Sequence, residues 1–433
     1  MRFVYNLLWP LGLLLFLPGY ILKMIRRGGY RKKFGQRLGR YDVGLRSRLR
    51  KRRSTWLHAV SVGEVAVALK LAARLRTFEP DQPCVLTTTT TTGFAFANKN
   101  APDWIEVMYT PLDFWPIMRR ALSVICPSKV VLVEAEVWPN LVAEAHARQI
   151  PIALVNARLS PRSERRFRQF HFVVAPIFAR LDLVCVQDAD DIERWAALGV
   201  DRARIRHVGS IKYDPENGDV DPSVAEGFLG ALKIDRNRLI ILGGSTHPGE
   251  EEILGKIFCN LRQEFPELFL IIAPRHAERA REVRAKLEQL GLAVALRSEI
   301  SLAQGPLHDG VVLDSTGELR DWYTAATIVF MGKSLTARGG QNPVEPILAG
   351  KPILFGPHME NFSTLARALV MSEGAIEVSD AESLEARMIA LLRESGARTR
   401  LVANAQRVLA THGGATTRTA KLVTSLKPSG SAN

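Results

Sequence analysis

The chain has 433 residues, 47% of them hydrophobic, with 58 Lys and Arg, 44 Asp and Glu and four Cys. That length supports two domains of ordinary size, each with its own core, and excludes a small disulfide-stapled fold. The net charge of +14 lies wholly in residues 1–53, where 15 Lys and Arg face the single acid Asp42. The remainder balances 43 basic against 43 acidic residues, so no nucleic-acid partner is expected.

In chain order, the first feature is "FVYNLLWPLGLLLFLPGYIL", Phe3 to Leu22, which carries no charge. As a helix it would be about 30 Å long, enough to cross a hydrocarbon layer. A basic stretch follows (Lys23, Arg26, Arg27, Arg31, Lys32, Lys33, Arg37, Arg40), which keeps the body behind it in the cytoplasm and can press on anionic headgroups. The positive charges stand on the wrong side of the apolar run for a cleaved signal peptide. Residues 1–53 are therefore expected to form a membrane-anchoring basic head. Pro10 and Pro18 leave open whether it spans the bilayer or lies in one leaflet, and a buried core helix is the bland alternative. Cys84, Cys126, Cys185 and Cys259 show no metal or redox spacing and read as reduced structural thiols.

Seven short β-rich runs follow: "TWLHAV", "CVLTT", "EVMYTPL", "KVVLVEA", "IPIALVNA", "LDLVCVQ" and "IRHVGS". Tyr213 to Ser223, "YDPENGDVDPS", reads as a linker. Seven more runs then appear: "LIILGGS", "LFLIIAP", "LAVALRS", "GVVLD", "ATIVFMG", "KPILFG" and "AIEVS". Apolar runs alternating with helical patterns indicate parallel strands covered on both faces. Two doubly wound α/β domains are expected, over 54–214 and 222–433, with ligands beyond the carboxyl ends of the strands.

The strand ends carry the candidate chemistry. Ser61-x-Gly63-Glu64 places a carboxylate on the first strand-to-helix turn, where it serves either as a helix-start acid or as a general base. Thr87 to Thr92 are six threonines before Gly93, suited to a hydroxyl-bearing loop or simply to a strand. Glu134 and Glu136 in "VEAEVWPN" share a face if extended, and Arg158 in "NARLSPRS" ends another strand. In the second half, Ser245 and Thr246 before Pro248 read equally as a cap or as an anion seat. Arg275 and His276 share that rim. Gly339-Gly340 runs into a helix start at Asn342-Pro343, with Glu345 in its first turn, which favours a nucleotide holder. Gly332-Lys333-Ser334 is not a P-loop, because the required upstream glycine is Thr327.

Together these motifs resemble the bacterial 3-deoxy-D-manno-octulosonate (Kdo) transferases, glycosyltransferase family 30. The resemblance runs through "HAVSVGEV", the Thr run, "EAEVWPN", "NARLS", "VGSIKYD", "STHPGEE", "PRHAER", "STGEL", "GGQNPVEP" and "LFGPHMENF". It implies an α/β GT-B fold, two Rossmann-like domains facing a cleft, on the cytoplasmic side of the inner membrane. The implied reaction is inverting transfer of Kdo from CMP-Kdo to a lipid A precursor, without a cofactor or metal. It implies Glu64 as general base and Glu134 or Glu136 as the second essential carboxylate. Ser61, Gly63, Thr92, Gly93 and Arg158 are assigned to the acceptor. Ser245, Thr246, Arg275, His276, Gly317, Glu318, Ser334, Gly340, Asn342 and Glu345 are assigned to CMP. Lys333, Gln341, Thr91 and Ala135 stand where the family commonly has Gly, His, Pro and Thr. The alternatives are another lipid-directed GT-B transferase using a UDP-sugar, a nucleotide-sugar epimerase of the same fold, or a non-catalytic nucleotide-binding membrane protein.

Overall fold

A computed structural model describes residues 5–7, 33–50, 53–214, 222–232, 234–235, 238–300 and 308–427. The chain divides into two compact units. One holds the described residues up to Asp214 together with those from His412 onward; the other holds those between, ending at Thr411.

The first unit is built on a seven-stranded sheet: β1 (Thr55–Ala59), β2 (Cys84–Thr88), β3 (Ile105–Tyr109), β4 (Lys129–Val133), β5 (Ile152–Ala157), β6 (Leu183–Val186) and β7 (Ile205–His207), in the order β3-β2-β1-β4-β5-β6-β7. Every pairing is parallel. The continuous apolar runs are explained by burial on both faces. Trp56, Val85, Val130 and Leu154 pack on one side, and Leu57, Leu86, Val131 and Val155 on the other. Because β1 lies between β2 and β4, the helices after β1 and β4 depart to opposite faces, opening a crevice at the carboxyl ends of those two strands.

The second unit repeats the plan with β8 (Ile240–Thr246), β9 (Phe269–Pro274), β10 (Val294–Leu296), β11 (Gly310–Val312), β12 (Ile328–Met331), β13 (Ile353–Phe355) and β14 (Ile376–Glu377), ordered β10-β11-β9-β8-β12-β13-β14 and parallel throughout. All fourteen expected runs are strands. The equivalent crevice lies between β8 and β12.

Two boundaries differ from the expected ones. The Ala415–Thr424 helix does not belong with 222–411. Its Ala420 and Val423 pack in the first unit's core with Leu71 and Leu75. Asp214 holds its start, accepting from the amides of Gly414 and Thr416, both at 2.7 Å. Periodicity says which face of a helix is apolar but not which sheet covers it. The basic segment before Arg53 is likewise not all a separate head. Tyr41, Leu45 and Leu49 are buried in the first core. Arg37 donates to the Thr89 carbonyl at 2.7 Å and stacks on Tyr109 at 4.2 Å. Apart from residues 5–7, the Phe3–Leu22 run and its expected anchor lie outside the described residues. Among the described residues, no helix is long and apolar enough to cross a membrane.

Candidate active site

β1 ends at Ala59, and the Val62–Phe78 helix begins three residues later with Ser61 as its N-cap. Ser61 and Glu64 form a reciprocal capping box, so Glu64 has a structural role. Its carboxylate accepts from the Val60 amide at 2.8 Å, the Ser61 amide at 3.3 Å and the Ser61 hydroxyl at 2.8 Å. A carboxylate offers about four acceptor positions, so these three bonds lock its orientation and leave one for a substrate proton. Glu64 is only 8% exposed, and burial raises its pKa against the lowering effect of those bonds. Beside it, Gly63 is exposed, and a side chain there would meet nothing within 4 Å.

β4 ends at Val133, so Glu134 and Glu136 enter the same β1/β4 crevice. Glu134 holds a left-handed φ of 62°, an uncommon conformation for a residue other than glycine, while its amide donates to Val155 at 3.0 Å. Burial raises the pKa of Glu134, and the charge on Glu64 raises it further; Lys212 and Arg158 oppose the shift. Glu136 has no such cations. Burial, then the charges on Glu64 and Glu134, push it up to about 7. Three carboxyls therefore share one poorly solvated crevice, and at least one holds a proton near neutral pH.

Lys212, whose motif was recognised but whose role was not, is a fourth member. Burial lowers its pKa and Glu134 raises it. Asn156 positions its loop: the buried side-chain oxygen accepts from the Ser210 hydroxyl at 3.3 Å and the Ile211 amide at 3.0 Å. A lysine in the loop five positions after a strand, between two buried residues, Ile211 and Tyr213, was the available signal.

The threonine run divides. Thr87 and Thr88 are in β2, and Thr90 caps the Thr91–Asn100 helix. Thr88 and Thr90 donate to the Val60 carbonyl at 3.2 and 3.0 Å, tying this loop to the Glu64 turn. Only Thr92 presents an exposed side chain among the acceptor candidates of this run. Gly93 is buried, and a Cβ there would come within 2.7 Å of the Thr88 hydroxyl. Packing, not ligand contact, accounts for that glycine.

In the second unit, β9, β8 and β12 are adjacent, and β11 flanks β9. Their ends bring together the loops bearing Ser245, Thr246, Arg275, His276, Gly317, Glu318 and Ser334. The anion seat expected after β8 is already filled by the protein. Fully buried Glu250 accepts from the amides of His247 (2.8 Å), Lys333 (2.7 Å), Ser334 (3.0 Å), Leu335 (3.0 Å) and Thr336 (3.5 Å). Gly332 makes this closure possible, because a Cβ there would approach Ser245 and Thr246 backbone atoms within 2.4 Å.

Several side chains assigned to the donor are engaged internally. Thr246 donates to Glu251 at 3.1 Å, and Ser334 donates to Met331 and accepts from the Gly356 amide at 2.8 Å, both fully buried. Glu318 binds Arg297 through two 2.8 Å bonds. Asn342 accepts from Val344 and donates to Glu345, both at 3.2 Å. Lys333 has a left-handed φ of 57°, which accounts for the glycine expected there. Gly340 is also left-handed, and Met359 leaves no room for a side chain on it. Arg275 and His276 are exposed, and among the described residues the Arg275 guanidinium has no hydrogen-bond or ion-pair partner. His276 lies 6.3 Å, ring to ring, from His247, whose pKa is lowered by burial and by Lys333. Among the described residues, no group of three or more His, Cys, Asp or Glu is placed to hold a metal ion.

Comparison with known proteins agrees with this geometry. A family model described as 3-deoxy-D-manno-octulosonic-acid transferase (kdotransferase) matches residues 32–215. The 3-deoxy-D-manno-octulosonic acid transferase of Haemophilus influenzae is 33% identical over 409 residues, covering 94% of this chain and 93% of its own. That of Bordetella pertussis is 34% identical over 373 residues, covering 84% and 85%. In fold, the UDP-GlcNAc 2-epimerase of Neisseria meningitidis matches with a TM-score of 0.56 at 12% identity, over 86% of this chain and all of that one. Two parallel Rossmann-like sheets of this kind make a GT-B fold, and similarity to full-length relatives across nearly the whole sequence places this chain in the Kdo transferase family.

Proposed function

We propose that this member of the Kdo transferase family moves Kdo from CMP-Kdo onto a hydroxyl of a lipid A precursor, with Glu64 as general base. The observation that carries the proposal is the desolvated carboxyl group of Glu64, held by three hydrogen bonds at the β1/β4 crevice beside Glu134 and Glu136. In the reaction, the acceptor oxygen attacks the anomeric carbon from the face opposite CMP. Its proton passes to Glu64, and the bond to CMP breaks with its electron pair leaving on the phosphate, so the configuration inverts. Burial makes Glu64 a stronger base than an exposed carboxylate. Lys212 and Arg158 hold Glu134 toward its charged form, and Glu136 retains a proton near neutrality. Arg275, whose guanidinium has no partner among the described residues, is the cation offered to the CMP phosphate. Thr92, Gly63 and Arg158 border the acceptor.

The acceptor and the membrane location rest on the uncharged Phe3–Leu22 run and the basic residues after it. A lipid-linked substrate gives such a segment its purpose. The test is to incubate purified full-length protein with CMP-Kdo and a tetra-acylated lipid A precursor and analyse products by mass spectrometry, with UDP-sugars in parallel. CMP release with a Kdo-bearing lipid is expected. Turnover of a UDP-sugar alone would overturn the proposal.

A further inference from the structure

A groove of about 550 Å³ opens in the second unit at the edge of the sheet opposite the donor loops. Its floor is formed by residues that immediately precede three neighbouring strands: Arg238 and Leu239 before β8, Ala325 to Thr327 before β12, and Gly350 to Pro352 before β13. Its wall is one face of the Ser395–Ala410 helix, presented at helical spacing by Ser395, Arg398, Thr399 and Val402.

The lining is one-signed. Arg238, Lys351 and Arg398 border the groove, and among the described residues no Asp or Glu does. Arg238 donates to the carbonyls of Glu267 and Leu268, and Arg398 to those of Leu391 and Leu392. Neutral carbonyls fix the two guanidinium groups in place without cancelling their charge. Lys351 is half-buried, and among the described residues its ammonium has no hydrogen-bond or ion-pair partner. Burial lowers its pKa, with no anion to oppose the shift. Partly desolvated cations without counter-charges are unfavourable in isolation, and an incoming anion relieves that penalty.

We propose that this groove binds a small soluble molecule bearing a phosphate group, at a site separate from the donor loops. Two planar forks and an ammonium around one space suit a multiply charged phosphate better than a single carboxylate. The volume falls within the roughly 300–1,000 Å³ of small-molecule sites, so it holds a phosphate ester and not only a bare ion. The Ser395 and Thr399 hydroxyls supply further hydrogen bonds to such a ligand.

The proposal is tested by calorimetric titration of the intact protein with inorganic pyrophosphate, using sodium acetate at matched ionic strength as the salt control. Wild type is expected to bind pyrophosphate and not acetate. Lys351→Gln and Arg398→Gln should each weaken binding by about tenfold, while Lys351→Arg, which keeps the charge, and Arg275→Ala, on the donor loops, should retain it. Circular dichroism of the Gln variants separates lost binding from lost folding. No heat with wild type, equal binding by the Lys351→Gln/Arg398→Gln double variant, or loss in Arg275→Ala alone would each overturn it.

Discussion

The two units share a sheet plan but treat their strand-end acids in opposite ways. In the second unit, Glu250 gathers five backbone amides, Glu251 pairs with Arg279 at 2.8 Å and Glu318 pairs with Arg297. In the first, Glu64 is locked beside Glu134 and Glu136, and all three carboxyls are displaced upward by burial. A well-satisfied acid at a strand end builds a loop. Acids crowded together with too little solvent and too few cations gain proton affinity, which acid–base chemistry requires.

Substitutions at each kind of acid sharpen this contrast. The largest expected effect is from Glu64→Gln, which keeps an acceptor oxygen for the capping box but cannot take a proton. Transfer, read as CMP release, should fall by about 10²–10⁴-fold with the melting curve little changed; undiminished turnover would make Glu64 a cap and nothing more. Glu250→Ala should act on stability first. Leaving its buried amides without a partner is expected to destabilise the second unit by about 3–5 kcal/mol, measured by urea denaturation. An unaltered transition would place the Lys333 loop under other control.

The smallest effect, and the one most specific to crowding, is the pH dependence of Glu136→Gln. The Glu136 pKa rises from 4.5 to about 7 on folding, so its stabilising contribution is complete below the unfolded value and is lost as pH rises through the folded one. The Gln variant should therefore melt higher than wild type above neutral pH, by the equivalent of about 3 kcal/mol, and lose that advantage in acid. Parallel melting temperatures across that range would show that Glu136 is well solvated.

Much of this was legible before any coordinates. Uninterrupted apolar runs of four to eight residues have few alternatives to buried parallel strands, and Glu64, Glu134 and Glu136 stood out as acids placed directly after such runs. The hydroxyl of Thr246 stood out for the same reason, and that of Ser334 through the family resemblance, yet both face inward, because a strand-end position does not say whether a side chain points to ligand or to a neighbouring loop. Glu250 sits by local pattern in the first turn of a helix, as an ordinary helix-start acid would; its five amide partners include four from residues 333–336, more than eighty positions away.

The sequence by itself determined the strands, the two-unit division near Asp214, the charge confined to the first 53 residues and the motifs that resemble the Kdo transferases, since all of these are local patterns of composition and spacing. Only the tertiary structure decided the strand order that brings β1 beside β4 and so collects Glu64, Glu134, Glu136 and Lys212. It also decided that the Ala415–Thr424 helix joins the first unit. The reason is the same in both cases: adjacency across a sheet and the choice of which core covers an apolar face depend on contacts between residues tens to hundreds of positions apart, which no local pattern encodes.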